Sequence, residues 1–220
     1  MTEEKHTLAM DGAQFFGEMT ASISHEIKNV LAIINENAGL LEDMVAMNRQ
    51  GASFSAERLE KLAQSVSRQI IRADGIIKTM NRFAHSADHA REPVDVVEAV
   101  QFMAQLVSRL VMMQGVRFDI PKPEKAVIVS TSPFFLEYLV WRCMVVAMAA
   151  RSSETPIRIL TETTANGPCL RFTGMAPGEK FSVSSIASLE EGGALELLGA
   201  RLVLHPEMGE FHVLLPNQRS

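Results

Sequence analysis

His25, Glu26 and Asn29 are the residues of this chain whose types and spacing lend themselves most directly to chemistry. They sit in the run Ser24-His25-Glu26-Ile27-Lys28-Asn29. A neutral imidazole is a nucleophile near neutral pH, and a neighbouring carboxylate can take or orient its second ring proton. An amide one turn further along a helix reaches the same face. The stretch around them must therefore be helical. Apolar residues at Phe16, Met19, Ile23, Ile27, Val30, Ile34, Ala38, Leu41 and Val45 recur at threes and fours, the stripe of a long amphipathic helix. His25 stands two residues from both Ile23 and Ile27, about 200° of rotation each way, so it points away from that stripe. Asp11 is placed to cap this helix, with Gln14 in capping-box position.

Gly51 and Ser53 or Ser55 read as a turn and a cap for a returning helix, in which Leu59, Leu62, Val66, Ile70, Ala73, Ile77, Met80 and Ala84 repeat. A lone pair of such helices cannot cover both stripes. Pairing of two copies into a four-helix bundle is the economical solution, so a homodimer is expected. Ser86 to Pro93 reads as a linker, dividing a helical hairpin (1–90) from a second domain (91–220). There the pattern predicts a helix over Val96–Met113, strands over Val116–Ile120 and Ala126–Ser130, and a buried helix over Phe134–Ala150. Paired strands Ile157–Thr163 and Pro168–Thr173, a short helix Ala194–Leu198 and a last hairpin, Arg201–His205 with Glu210–Leu215, follow. The class is α+β, a sandwich with helices on one face of one sheet.

The Ser-His-Glu-Ile-Lys-Asn run on a long helix resembles the H-box of the dimerisation and phosphoacceptor domain of bacterial sensor histidine kinases. Val30 stands where those kinases usually have proline. The order of elements after the hairpin resembles their ATP-binding domain. The resemblance implies phosphoryl transfer through His25, with Glu26 and Asn29 assisting, and docking of response-regulator receiver domains beside Ser22 and Lys28. It also implies that the nucleotide chemistry is lost. The two asparagine positions of the family's magnesium-binding helix fall on Arg142 and Val146, and valine cannot ligate a hard cation. The DxGxG position falls on Phe172-Thr-Gly-Met-Ala176, with phenylalanine in place of the carboxylate that reads adenine. The lid, between Gly178 and Leu195, keeps only Gly192-Gly193. The expectation is thus a degenerate ATPase-like domain with no cofactor on this chain and no ATP use, the Mg²⁺ being carried by the partner receiver.

Three functions fit: a histidine phosphotransferase of a phosphorelay, a receiver phosphatase using Asn29 and a water, and a non-catalytic scaffold partnering a histidine kinase. The net charge of −5 gives no electrostatic case for nucleic acid. The longest apolar run, Phe134 to Ala150, carries Glu137 and Arg142 and is too short to span a bilayer. Met1 to His6 is charged and unlike a signal peptide. Cys143 and Cys169 read as reduced core thiols, so a cytoplasmic location is expected. His85 and His89 read as exposed, and the methionines around Met112-Met113 and Met144-Met148, like Trp141, as adaptable core.

Overall fold

The computed structural model describes residues 3–51, 53, 55–152, 155–178, 189 and 193–217, with side-chain surroundings from His6 onward. Its elements are α1 (Glu3–Arg49), α2 (Ala56–His85), β1 (Glu92–Asp95), α3 (Val96–Leu106), α4 (Ser108–Met113), β2 (Phe118–Asp119), β3 (Ile128–Thr131), α5 (Pro133–Ala149), β4 (Ile157–Thr164), β5 (Gly167–Thr173), α6 (Ala194–Leu198), β6 (Arg201–His205) and β7 (Glu210–Leu214). A 3-10 turn, Pro206–Met208, joins the last two strands. The class is α+β. Two compact units divide the chain: one runs from Met19 to Phe83, the other combines the residues up to Glu18 with those from Ala84 onward.

In the helical unit, α1 buries Met19, Ile23, Val30, Asn37 and Met44. The last four are spaced by seven, the repeat of a coiled-coil seam rather than of a free helix. On α2 the buried or half-buried positions include Leu62, Val66, Gln69, Ala73, Ile76, Met80 and Phe83, which follow one another by threes and fours. Met19, Ile23, Val30, Leu62, Val66, Ala73 and Met80 of the stripe read in the sequence lie in the seam, whereas Phe16, Ala38, Val45, Ile70, Ile77 and Ala84 lie exposed beside it, their places taken in part by the residue before. Asn37, 8% exposed, donates its amide to the Ile33 carbonyl at 2.6 Å, a polar residue held inside an otherwise apolar seam. The turn is as expected. Gly51 takes a positive φ of 89°, and the Ser55 hydroxyl accepts from the Arg58 backbone N–H at 3.3 Å, capping α2.

The expected cap at Asp11 is corrected, because α1 already begins at Glu3 and Asp11 lies two turns inside it. Its first four turns belong to the other unit. Phe15 is 2% exposed there, with its ring 5.5 Å from that of Phe134 and 5.4 Å from that of Tyr138. Tyr138 donates its hydroxyl to Asp11 at 3.3 Å, and Trp141 donates its indole N–H to Glu18 at 3.4 Å. Gly12 lets the helix approach closely, since an added Cβ would stand 3.3 Å from the Phe134 ring.

In the second unit two sheets replace the single one expected. β1 and β3 form a separate antiparallel pair, and the larger sheet runs β2-β4-β5-β7-β6, all antiparallel except β2 with β4. The linker reading of Pro93 fails because a proline needs no ladder donor on an edge strand, and β1 has only one neighbour. The single helix over 96–113 is broken at Val107 into α3 and α4. Asp95 caps α3 by accepting from the Val97 N–H at 2.9 Å. The remaining expected elements fall within a residue or two of their predicted bounds, apart from shorter β2 and β3. The core is made by α5, buried on almost every side, against Ile157, Ile159, Leu170, Phe172, Phe211 and Val213. Met144 and Met148 are buried as expected, whereas Met112 and Met113 are 68% and 75% exposed at the end of α4.

Candidate functional site

His25 is exposed on α1, as its position off the stripe requires, while Ile23 and Val30 on either side are buried. Asn29, one turn on, is half-buried, and its amide nitrogen lies 3.2 Å from His25 Nδ1. An amide nitrogen only donates, so in this arrangement Nδ1 accepts and the neutral ring carries its proton on Nε2. Rotating the amide half a turn would present its oxygen instead. Nδ1 would then hold the proton and Nε2 the lone pair. Asn29 is therefore placed to select the tautomer of the imidazole.

Glu26 is turned toward α2. Its carboxylate accepts from the Arg72 guanidinium at 3.0 Å, an ion pair between half-exposed side chains. Arg72 was not among the residues singled out in the sequence; only a spatial neighbour marks it, since it lies 46 positions away. Ser22 is half-buried and Lys28 exposed on the same stretch of α1. Gln69, in the α2 seam, has a buried side-chain oxygen with no hydrogen-bonding partner among the described residues. Helical geometry alone brings His25, Glu26, Lys28 and Asn29 close together. The α1–α2 hairpin adds Arg72.

The residues at the nucleotide positions of the resemblance are engaged otherwise. Phe172 lies within β5, fully buried, its ring stacked on Phe211 at 4.7 Å and 6°. The turn after β5 needs its glycine: Gly174 has φ 93°, and a side chain there would meet the Pro156 carbonyl. Val146 is buried. The Arg142 guanidinium lies 6.0 Å from the Tyr138 ring centroid, a cation–π contact. Gly193 faces Leu8 of α1, at 3.7 Å from where its Cβ would be. Most of the lid position, residues 179–188 and 190–192 with Gly192, lies outside the described residues.

Cys143 and Cys169 are free and buried. Burial pushes the Cys143 thiol well above its ordinary range, and burial with the nearby Glu162 carboxylate raises Cys169 to about 11. His85 is exposed and pairs with Asp88 at 2.6 Å. Among the described residues no cluster of three or more His, Cys, Asp or Glu is arranged to hold a metal. No helix there is long and apolar enough to cross a membrane.

No protein-family model matches this chain. No curated protein matches it either. Among solved structures it is similar to the Acinetobacter baumannii histidine kinase AdeS, at 11% identity over 89% of this chain and 98% of that one, with a TM-score of 0.48. It is similar to the ATP binding domain of PrrB from Mycobacterium tuberculosis, at 18% identity over 60% and 100%, with a TM-score of 0.44. The histidine kinase ThkA in complex with the response regulator protein TrrA matches at 16% identity over 99% and 68%, with a TM-score of 0.47. At these identities and scores the likenesses carry nothing across about activity.

Proposed function

We propose that this chain is a dimeric histidine phosphotransferase that passes a phosphoryl group between receiver-domain aspartates through His25, without using ATP. The observation that carries the reading is the exposed His25 imidazole with the Asn29 amide on Nδ1 and a carboxylate, Glu26, next to it in sequence. When the Asn29 amide turns its oxygen to Nδ1, the ring proton is held there and the Nε2 lone pair attacks the phosphorus of an aspartyl phosphate in line. The N–P bond forms as the P–O bond to the aspartate breaks, and the ring proton passes to solvent or to a Glu26 carboxylate swung away from Arg72. The reverse step delivers the group to a second receiver. Such transfer asks mainly for positioning and charge stabilisation, and the receiver can bring its own Mg²⁺. Ser22 and Lys28 are assigned to the docking surface.

Loss of nucleotide use is supported by the buried Phe172 and Val146 and by Leu8 beside Gly193. The homodimer is supported by the apolar side chains that the hairpin leaves exposed: Leu31 on α1 and Ile70, Ile71 and Ile77 on α2. The second reading, a receiver phosphatase, is favoured by the same Asn29 amide, which could orient a water instead of the imidazole.

The test is to incubate the chain with one phosphorylated receiver domain and a second, unphosphorylated one. Transfer to the second receiver only when this chain is present supports the phosphotransferase. Release of inorganic phosphate with no transfer favours the phosphatase, and no change in either receiver refutes both.

A further inference from the structure

We propose that the cleft between β3, the start of α5 and the end of α6 is a binding site for a small zwitterion of the α-amino acid kind with an apolar side chain. The cleft encloses about 500 Å³, within the range of small-ligand pockets. It lies wholly in the second unit and owes nothing to the phosphoryl reading of His25.

Two opposite charges line it without meeting. Arg91 donates its Nε–H to the Ser130 hydroxyl at 3.1 Å, which orients the guanidinium, and no carboxylate pairs with it among the described residues. Glu196, exposed on α6, lines the same cleft and likewise has no ion-pair or hydrogen-bond partner there. A simple anion would face the Glu196 carboxylate, and a simple cation the Arg91 guanidinium. A ligand carrying both charges satisfies both groups.

The carboxylate end is assigned to the Arg91 side by a second observation. Thr131 lines the cleft, is 7% exposed, and its hydroxyl has no hydrogen-bonding partner among the described residues. That hydroxyl is not among the buried unpartnered polar atoms of the described residues, so it opens onto the cleft and can donate to a carboxylate there. Ser132, the N-cap of α5, likewise leaves its hydroxyl out of the cap, at the end of a 17-residue helix where the backbone dipole favours negative charge. Phe135 and Leu198 supply the apolar wall against which a ligand side chain would lie.

The experiment is calorimetric titration of the full chain with each proteinogenic L-amino acid up to about 10 mM. Saturable binding of those with leucine- or phenylalanine-like side chains is expected. Arg91→Ala and Glu196→Gln should each weaken it by about tenfold or more. Both replaced side chains are exposed, and circular dichroism checks that the variants fold. The N-acetyl derivative, which lacks the ammonium group, should bind wild type as weakly as the free amino acid binds Glu196→Gln. Absence of saturable binding by every amino acid would overturn the proposal. So would binding that neither variant weakens, or an N-acetyl derivative that binds as well as its parent.

Discussion

The Asn29 amide nitrogen stands 3.2 Å from the exposed His25 Nδ1, one turn away on α1. This contact ties the proton of the imidazole to the orientation of a neutral side chain. Asn29→Asp presents only acceptors, so it should move the neutral ring's proton to Nδ1. Nitrogen-15 shifts of the labelled imidazole report that move directly, and an unchanged Nε2–H ring in Asn29→Asp would contradict it. Asn29→Ala should keep phosphoryl transfer within about tenfold, because the nucleophile is intact, while abolishing any hydrolysis that depends on an oriented water.

Glu26 separates a chemical role from a structural one. Its pair with Arg72 joins half-exposed groups, so Arg72→Ala should cost less than about 1 kcal/mol in a denaturant titration. Glu26→Gln should likewise leave the fold in place, yet slow phosphoryl acceptance by about a hundredfold if the carboxylate takes the ring proton. Equal rates for Glu26→Gln and wild type would remove Glu26 from the mechanism.

Phe15 lies near the N-terminus but belongs to the core of the second unit, against Phe134 and Tyr138. Phe15→Ala should therefore destabilise that unit by about 3–5 kcal/mol, the range for a buried phenylalanine. Chemical denaturation followed through Trp141, whose indole donates to Glu18 of the same α1 segment, reads the effect. A loss below about 1 kcal/mol would show that the α1 segment is not part of this core.

Cys169 gives a pH dependence with a definite sign. Its thiol is raised to about 11 in the folded chain by burial and by the Glu162 carboxylate, from an ordinary value of 9.0. A raised acid favours the folded state while it stays protonated. The stabilisation is complete below pH 9 and is lost as pH rises toward 11. Cys169→Ser should flatten that alkaline fall in stability, measured by denaturant titration between these limits. In the native protein neither cysteine should react with a thiol reagent near neutral pH.

Much of this molecule was legible because its periodicities are strong. The strand pair around Asn166-Gly167, α5 after Ser132-Pro133, and α6 ending at Gly199 follow from turn chemistry and patterning at those residues. The exposure of His25 followed from its angle to Ile23 and Ile27. What escaped has identifiable causes. At some positions the seam departs by one residue because a heptad drifts against the straight-helix period, so Gln69 and Ile76 took places read as Ile70 and Ile77 while Leu62, Val66, Ala73 and Met80 kept theirs. Asp11 looks like a cap in a linear reading, but Tyr138, 127 positions away, claims its carboxylate. Arg72 at Glu26 and Glu18 at Trp141 are likewise relations of the folded chain that no local pattern carries.

The central claim is that His25 itself carries the phosphoryl group. The chain should be mixed with a phosphorylated receiver domain in parallel with His25→Ala, and the bound phosphate examined for lability and site. Acid-labile, alkali-stable label on His25 of wild type, absent from the variant, is the expected result. Transfer between receivers that proceeds equally well with His25→Ala would contradict it.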